Sequence, residues 1–270
     1  MTSMPVAPTI LVFDSGLGGL TVFREVVKSR PDARFVYAID DAFFPYGRHS
    51  EPMLVARVLQ VVDEWIAAHR PDLVVIACNT ASTLVLPQLR ERFPVPFVGT
   101  VPAIKPACAG SKSKLVSVLG TEATVKREYT RGLIRDFADG CAVTLVGSPR
   151  LAELAEAELK GEPASDDAIA AELAPCFAEI GGRRTDTVVL ACTHYPLLLE
   201  RLRKLAPWPV NFIDPAPAIA RRVTDLLGPA GPGGPAPPGR AVFSSGHAPN
   251  PALARALSRF GLGAGAPADV

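Results

Sequence analysis

The sequence predicts an α/β protein built on mostly parallel sheets, and two observations carry that expectation. Short β-branched runs alternate with amphipathic stretches of helical period along most of the 270 residues, the pattern that βαβ units leave in a sequence. One phrase is also written twice: Val-Val-Ile-Ala-Cys-Asn-Thr at 74–80 returns as Val-Val-Leu-Ala-Cys-Thr-His at 188–194, 114 residues later. A period that long excludes a solenoid and points to two similar α/β units.

Taken in order, a strand is expected over 10–13, running into Asp-Ser-Gly-Leu-Gly-Gly at 14–19 and then a helix over 20–29. A second strand covers 35–39. The clearest helix follows Ser50-Glu51-Pro52, because Leu54, Val58, Val61, Val62, Trp65 and Ile66 fall on one face at a 3.6-residue period. Strands over 73–77, 97–99, 115–119, 143–146 and 187–191 are read from their apolar, β-branched composition. Helices are expected over 122–138, 150–160, 167–180, 197–205 and 217–227. The segment GPAGPGGPAPPG at 228–239 cannot hold regular structure and reads as a flexible surface loop before a last strand and a helix over 251–259.

Composition bounds the function. With 48% hydrophobic residues the chain can bury a sizeable core, and 28 Lys plus Arg against 27 Asp plus Glu leave no electrostatic footprint for nucleic acid or an acidic membrane. No apolar run approaches the ~20 residues that span a bilayer, and the N-terminal residues lack the pattern of a signal peptide. The expectation is a cytoplasmic protein with a small-molecule ligand, no nucleic-acid partner and no membrane. Five cysteines form no CxxC pair and no Cys/His zinc spacing, so reduced thiols and no metal are expected.

Each copy of the repeated phrase ends a buried strand at a cysteine, Cys78 or Cys192. Ligands of open α/β sheets bind just beyond the carboxyl ends of the strands, so two facing units would set these thiols on opposite walls of one cleft. Inverting a carbon acid needs one group to remove a proton from one face and another to deliver a proton to the opposite face. A thiolate and a thiol make that pair if the site favours ionisation of a group that otherwise titrates near ~8.5. His194, two residues past Cys192, and Asp14, at the end of the first strand, are the neighbouring acid/base groups. Cys108, Cys141 and Cys176 lack such surroundings and read as structural.

Six ordered segments then become recognisable: Phe-Asp-Ser-Gly-Leu-Gly-Gly (13–19), Asp40 with Pro-Tyr-Gly (45–47), Ala-Cys-Asn-Thr-Ala-Ser (77–82), Val-Pro-Ala-Ile-Lys-Pro (101–106), Leu-Gly-Thr-Glu-Ala-Thr (119–124) and Ala-Cys-Thr-His-Tyr-Pro-Leu (191–197). Together they closely resemble the glutamate racemases, cofactor-independent enzymes of the aspartate/glutamate racemase superfamily. The resemblance covers most of the chain, from about residue 10 to Asp214-Pro215.

The resemblance implies two pseudo-symmetric, doubly wound α/β domains with the active site in the cleft between them. The first domain would comprise 1–99 plus 211–270, and the second 100–210. It implies Cys78 and Cys192 as the two acid/base catalysts, assisted by Asp14 and His194, with glutamate as substrate and no cofactor. Asp14, Ser15, Asp40, Tyr46, Gly47, Asn79, Thr80, Thr124, Thr193 and His194 match substrate-binding positions. A further family carboxylate follows a Cys-Pro dipeptide. Here the segment is Ser-Pro-Arg-Leu-Ala-Glu-Leu-Ala-Glu, with Ser148 in place of cysteine, so Glu156 matches by register and Glu153 remains the alternative. A homodimer stays open as the oligomeric state.

Three other readings compete: a racemase of the same superfamily acting on aspartate or a hydantoin, a Cys192/His194 hydrolase or transferase, and a non-catalytic amino-acid binding module. The hydrolase leaves Cys78 unexplained, and the binding module needs no paired thiols. The role implied by the resemblance is supply of D-glutamate for peptidoglycan synthesis.

Overall fold

A computed structural model describes residues 7–231 and 237–264. In chain order the elements are β1 (Thr9–Asp14), α1 (Leu20–Ser29), β2 (Arg34–Ile39), α2 (Glu51–His69), β3 (Leu73–Ile76), α3 (Asn79–Arg92), β4 (Phe97–Gly99), α4 (Ile104–Gly110), β5 (Leu115–Thr121), α5 (Glu122–Lys126), α6 (Glu128–Phe137) and β6 (Ala142–Ser148). They continue with α7 (Leu151–Leu159), α8 (Asp166–Leu173), β7 (Glu179–Ile180), β8 (Arg183–Arg184), β9 (Thr187–Ala191), α9 (Leu199–Leu205), β10 (Asn211–Ile213), α10 (Ala216–Leu227), β11 (Gly239–Phe243), α11 (Pro251–Arg259) and β12 (Leu262–Ala264).

Two parallel sheets organise the chain, ordered β12-β11-β2-β1-β3-β4 and β10-β9-β5-β6. The order β4-β3-β1-β2 of the first recurs as β10-β9-β5-β6 in the second, so β3 and β9, the strands of the repeated phrase, hold equivalent places. In each sheet the chain leaves its first strand in one direction and returns on the other side. The resulting switch points, β1/β3 and β5/β9, are where such sheets bind ligands.

The strand sequences are almost wholly apolar because both faces are covered. On the first sheet Ile10, Val12, Tyr37 and Val75 pack with Phe23 of α1, Val223 of α10 and Leu257 of α11, while Leu11, Phe13, Val74 and Ile76 pack with Leu54 and Val58 of α2 and Val85 of α3. On the second, Leu119, Val188 and Leu190 meet Leu151, Ile169 and Leu202. Val116, Val118 and Val189 meet Ile104 and Ala107 on the other face.

All seven strands expected before residue 192 are present, but several helices depart from expectation. Helix α3 was not expected, because its first turn is polar and Pro87 interrupts its pattern; α4 was hidden by its length of seven residues and its proline. The stretch 122–138 is two helices broken at Arg127, whose ψ of 139° is extended. The helix expected over 167–180 ends at Leu173. Pro175 opens a short 3-10 turn, and Gly181-Gly182, at φ 57° and 73°, turn the β7–β8 hairpin as two-residue left-handed turns do. Asn211–Ile213 pairs with β9, so the second sheet extends past the expected return at 210. Of the Gly/Pro-rich segment, 232–236 lie outside the described residues.

Candidate active site

Cys78 follows β3 and caps α3, with its carbonyl accepting from Ser82 N at 2.8 Å. Cys192 follows β9 directly. Both thiols line one cleft, together with Ser15, Phe44, Pro45, Tyr46, Gly47, Asn79, Thr80, Thr121, Ala152, Thr193 and His194. The strand ends of both sheets therefore open onto one space, with a thiol from each.

On the first wall, Ser15 Oγ lies 3.3 Å from Cys78 Sγ. Burial is the main force on this thiol and pushes it up to about 12, with the Asp14 charge adding to the rise. Asp14 sits behind the wall, fully buried. Its Oδ2 accepts from Gly19 N at 2.7 Å and faces the Tyr37 hydroxyl at 3.4 Å, while Oδ1 has no partner. Burial raises its carboxyl to about 6 against the opposing pull of His194 and the Gly19 N–H. Asp14 thus acts on Cys78 through charge, and Ser15 supplies the direct contact.

The second wall carries a relay. His194 Nδ1 is 3.6 Å from Cys192 Sγ, and its Nε2 is 3.0 Å from Glu156 Oε1. Each ring nitrogen faces an acceptor, so the imidazolium, with two N–H donors, satisfies both. Burial opposes that charge, yet the contacts with Cys192 and Glu156 outweigh it and hold His194 well above the usual histidine range. Burial also opposes ionisation of Glu156, but His194 and Lys160 hold its carboxyl down at about 2. Glu153, the alternative, is half-exposed and pairs with Arg48; three residues along the helix, Glu156 turns inward. The imidazolium gives Cys192 the cation that a thiolate needs.

The glycine-rich turn after β1 lets these walls meet. A Cβ on Gly18 would lie 2.5 Å from His194 N and Nδ1, and one on Gly16 would lie 2.0 Å from Glu156 Oε1. Leu17 N donates to Glu156 Oε1 at 2.8 Å, and Thr21 Oγ1 donates to Thr193 O at 3.1 Å. The turn is therefore the socket in which the relay sits, and not a phosphate cradle.

Asn79 is buried in the cleft wall with neither amide atom partnered. Thr80 Oγ1 lies 3.1 Å from Thr121 Oγ1 and 3.4 Å from Thr124 Oγ1, forming a hydroxyl cluster across the two units. Thr124 backs that cluster from a fully buried position, and Thr121, which the sequence reading did not single out, lines the cleft. Asp40 departs from the expected role. Its carboxylate is held off the cleft by Tyr46 Oη at 2.6 Å and Arg57 Nη2 at 2.5 Å, so it positions Tyr46 from behind. Phe44 and Ala152 were likewise missed; the Phe44 ring lies tilted against His194, with centroids 5.6 Å apart. Among the described residues no group of three or more His, Cys, Asp or Glu side chains is arranged to hold a metal ion.

Fold and site together define an α/β protein of two matched halves that presents a thiol from each to a shared cleft. The model of the Asp/Glu/Hydantoin racemase family matches residues 18–223, and the chain belongs to that family. It is 58% identical over 232 residues to the glutamate racemase of Brucella ovis, covering 83% of this chain and 84% of that one. Against the glutamate racemase of Mesorhizobium japonicum it is 54% identical over 266 residues, covering 97% and 99%. The crystal structure of Escherichia coli glutamate racemase with L-glutamate and the activator UDP-MurNAc-Ala superposes with a TM-score of 0.86 at 43% identity, covering 96% of this chain and 98% of that one.

Proposed function

We propose that this protein interconverts L- and D-glutamate by two-base proton transfer at Cα, through Cys78 and Cys192. One observation carries the reading: the two thiols end equivalent strands of two matched sheets and line the same cleft. Relatives named glutamate racemase at 54–58% identity and the L-glutamate in the E. coli structure support glutamate as the substrate.

In the reaction one thiolate takes the Cα proton from one face, and the opposite thiol gives its own proton to the other face. The thiol and thiolate are thereby exchanged, ready for the reverse direction. Cys192 works with His194 and Glu156, and Cys78 works with Ser15 and the buried charge of Asp14. The unpartnered Asn79 amide offers a donor and an acceptor to the ammonium and α-carboxylate, beside Ser15, Tyr46, Gly47 and Thr193. The Thr80–Thr121–Thr124 hydroxyls suit the side-chain carboxylate. All of these residues come from one chain, so the reading needs no second copy, and the homodimer is not required by it.

The same proposal divides the chain into a first unit carrying β1–β4, β11 and β12 and a second carrying β5, β6, β9 and β10. Its role is to supply D-glutamate for peptidoglycan, in the cytoplasm, where both thiols stay reduced. The test is chiral analysis of L-glutamate incubated with the purified protein and no added cofactor. The expected product is an equal mixture of enantiomers, absent with Cys78→Ala or Cys192→Ala; retained racemisation in either variant overturns the reading.

A further inference from the structure

The relay does not stop at Glu156. Lys160 Nζ lies 2.7 Å from Glu156 Oε2, on the oxygen that His194 does not use. The two oxygens of a buried carboxylate are thus shared out: Oε1 takes the Leu17 N–H and faces His194 Nε2, and Oε2 takes the lysine. Lys160 closes α7, with its own N–H bonded to Glu156 O at 3.0 Å and its carbonyl accepting from Asn250 Nδ2 at 3.4 Å. Its ammonium also stands 5.9 Å over the Phe44 ring, which in turn packs 5.6 Å from His194. The lysine is held at both its backbone and its head.

This pair differs from the lysine pairs on the surface. Glu156 is 5% exposed and Lys160 42%, whereas Lys126–Glu122, also spaced i,i+4, is 71% and 53% exposed. A screened surface pair of that kind contributes little; a charge set against a buried carboxylate is screened far less. With Cys192 as thiolate, the row Cys192–His194–Glu156–Lys160 alternates in sign and sums to zero.

We propose that Lys160 is a positioning residue of the reaction, holding Glu156 as a carboxylate so that His194 stays the protonated partner of Cys192. The inference rests on the two-thiol reading of the site. Without the ammonium, burial of Glu156 is opposed by the imidazolium and the Leu17 N–H alone, while Asp14 at the end of β1 and Tyr37 on β2 face the same region. The carboxylate then takes up a proton at a pH where the parent protein keeps it ionised, and the relay loses its anchor from the acid side.

The test uses the full chain with 15N-labelled histidine, of which there are four residues. His194 Nε2 reports on Glu156 across their 3.0 Å contact. In the parent protein, whose Glu156 is held at about 2, that resonance is expected to be flat between about pH 4.5 and 8. In Lys160→Met the inflection is expected to enter from the acid side at a higher pH than in the parent, with the acid limb of glutamate kcat/KM moving up alongside it. Lys160→Arg, which restores the charge, is expected to flatten the resonance again. A Lys160→Met profile that superposes on the parent overturns the proposal, and so does an inflection that arginine fails to remove. Because the resonance is read without turnover, failure of the racemase reading would show separately, as a parent protein that leaves glutamate untouched.

Discussion

Replacing Asp14 by asparagine should make the protein more stable relative to the parent as the pH rises, even as it removes a group from the reaction. Burial lifts the Asp14 carboxyl from 3.8 to about 6, so the folded state favours the protonated form. Its contribution is fully present below pH 3.8 and is lost as the pH rises through 6. At about 1.4 kcal/mol per unit, the relative penalty on the parent grows by about 2.5 kcal/mol between pH 4 and pH 8. Asparagine keeps an oxygen for the Gly19 N–H but leaves its amide nitrogen where Oδ1 now stands unpartnered. That cost does not depend on pH and cancels when the two pH values are compared. Urea unfolding of parent and Asp14→Asn at both pH values measures the difference directly. In thermal unfolding it corresponds to a relative gain of roughly 5–10 °C for the variant at pH 8. A stability difference that stays constant from pH 4 to pH 8 would refute the reasoning, because it would mean that the carboxyl ionises freely where it lies.

Further outcomes follow from the same geometry. Gly18→Ala should cost about 1–3 kcal/mol by overpacking and lower racemisation by about 10²-fold by displacing His194, since the new methyl would sit 2.5 Å from its ring; near-parent kcat would show that the socket yields. Glu156→Gln should lose about 3 kcal/mol of stability that the parent holds above pH 4.5, because the folded-state carboxyl is depressed to about 2. The parent's advantage, followed by denaturant unfolding, should persist from pH 7 to 5 and shrink only as the pH falls from 4.5 toward 2. Cys108→Ala should retain racemisation, because Cys108 is buried in the core on one face of the second sheet, away from the cleft-lining residues.

The strands were legible because a parallel sheet covered on both faces demands unbroken apolar, β-branched runs, and seven such runs lie where they were expected. Helix α3 was not, since its first turn, Asn79-Thr80-Ala81-Ser82-Thr83, is written for the cleft. Its buried polar residues erase the amphipathic signal, and tertiary context overrides weak helix propensity. The β7–β8 hairpin was masked by a helical pattern that Pro175 and Gly181-Gly182 in fact terminate.

At the site, the two cysteines, Ser15, Asn79 and His194 announced themselves by lying at strand ends. Thr121 ends its strand in the same way, but without a reactive side chain it carried less signal. The choice between Glu153 and Glu156 needed the helix itself, because three residues of rotation separate a partner for Arg48 from one for His194. Asp40 shows the converse: a carboxylate beside a cleft motif whose bonds to Tyr46 and Arg57 turn it away.

The central claim, proton transfer at Cα between two thiols, is tested most directly by proton NMR of the protein with L-glutamate in D2O, with optical rotation followed in the same sample. The account predicts that deuterium replaces the Cα hydrogen while rotation falls to zero, and that rotation no longer falls once Cys78 or Cys192 is alanine. Rotation lost with the Cα hydrogen retained, or racemisation that survives loss of either thiol, would contradict it.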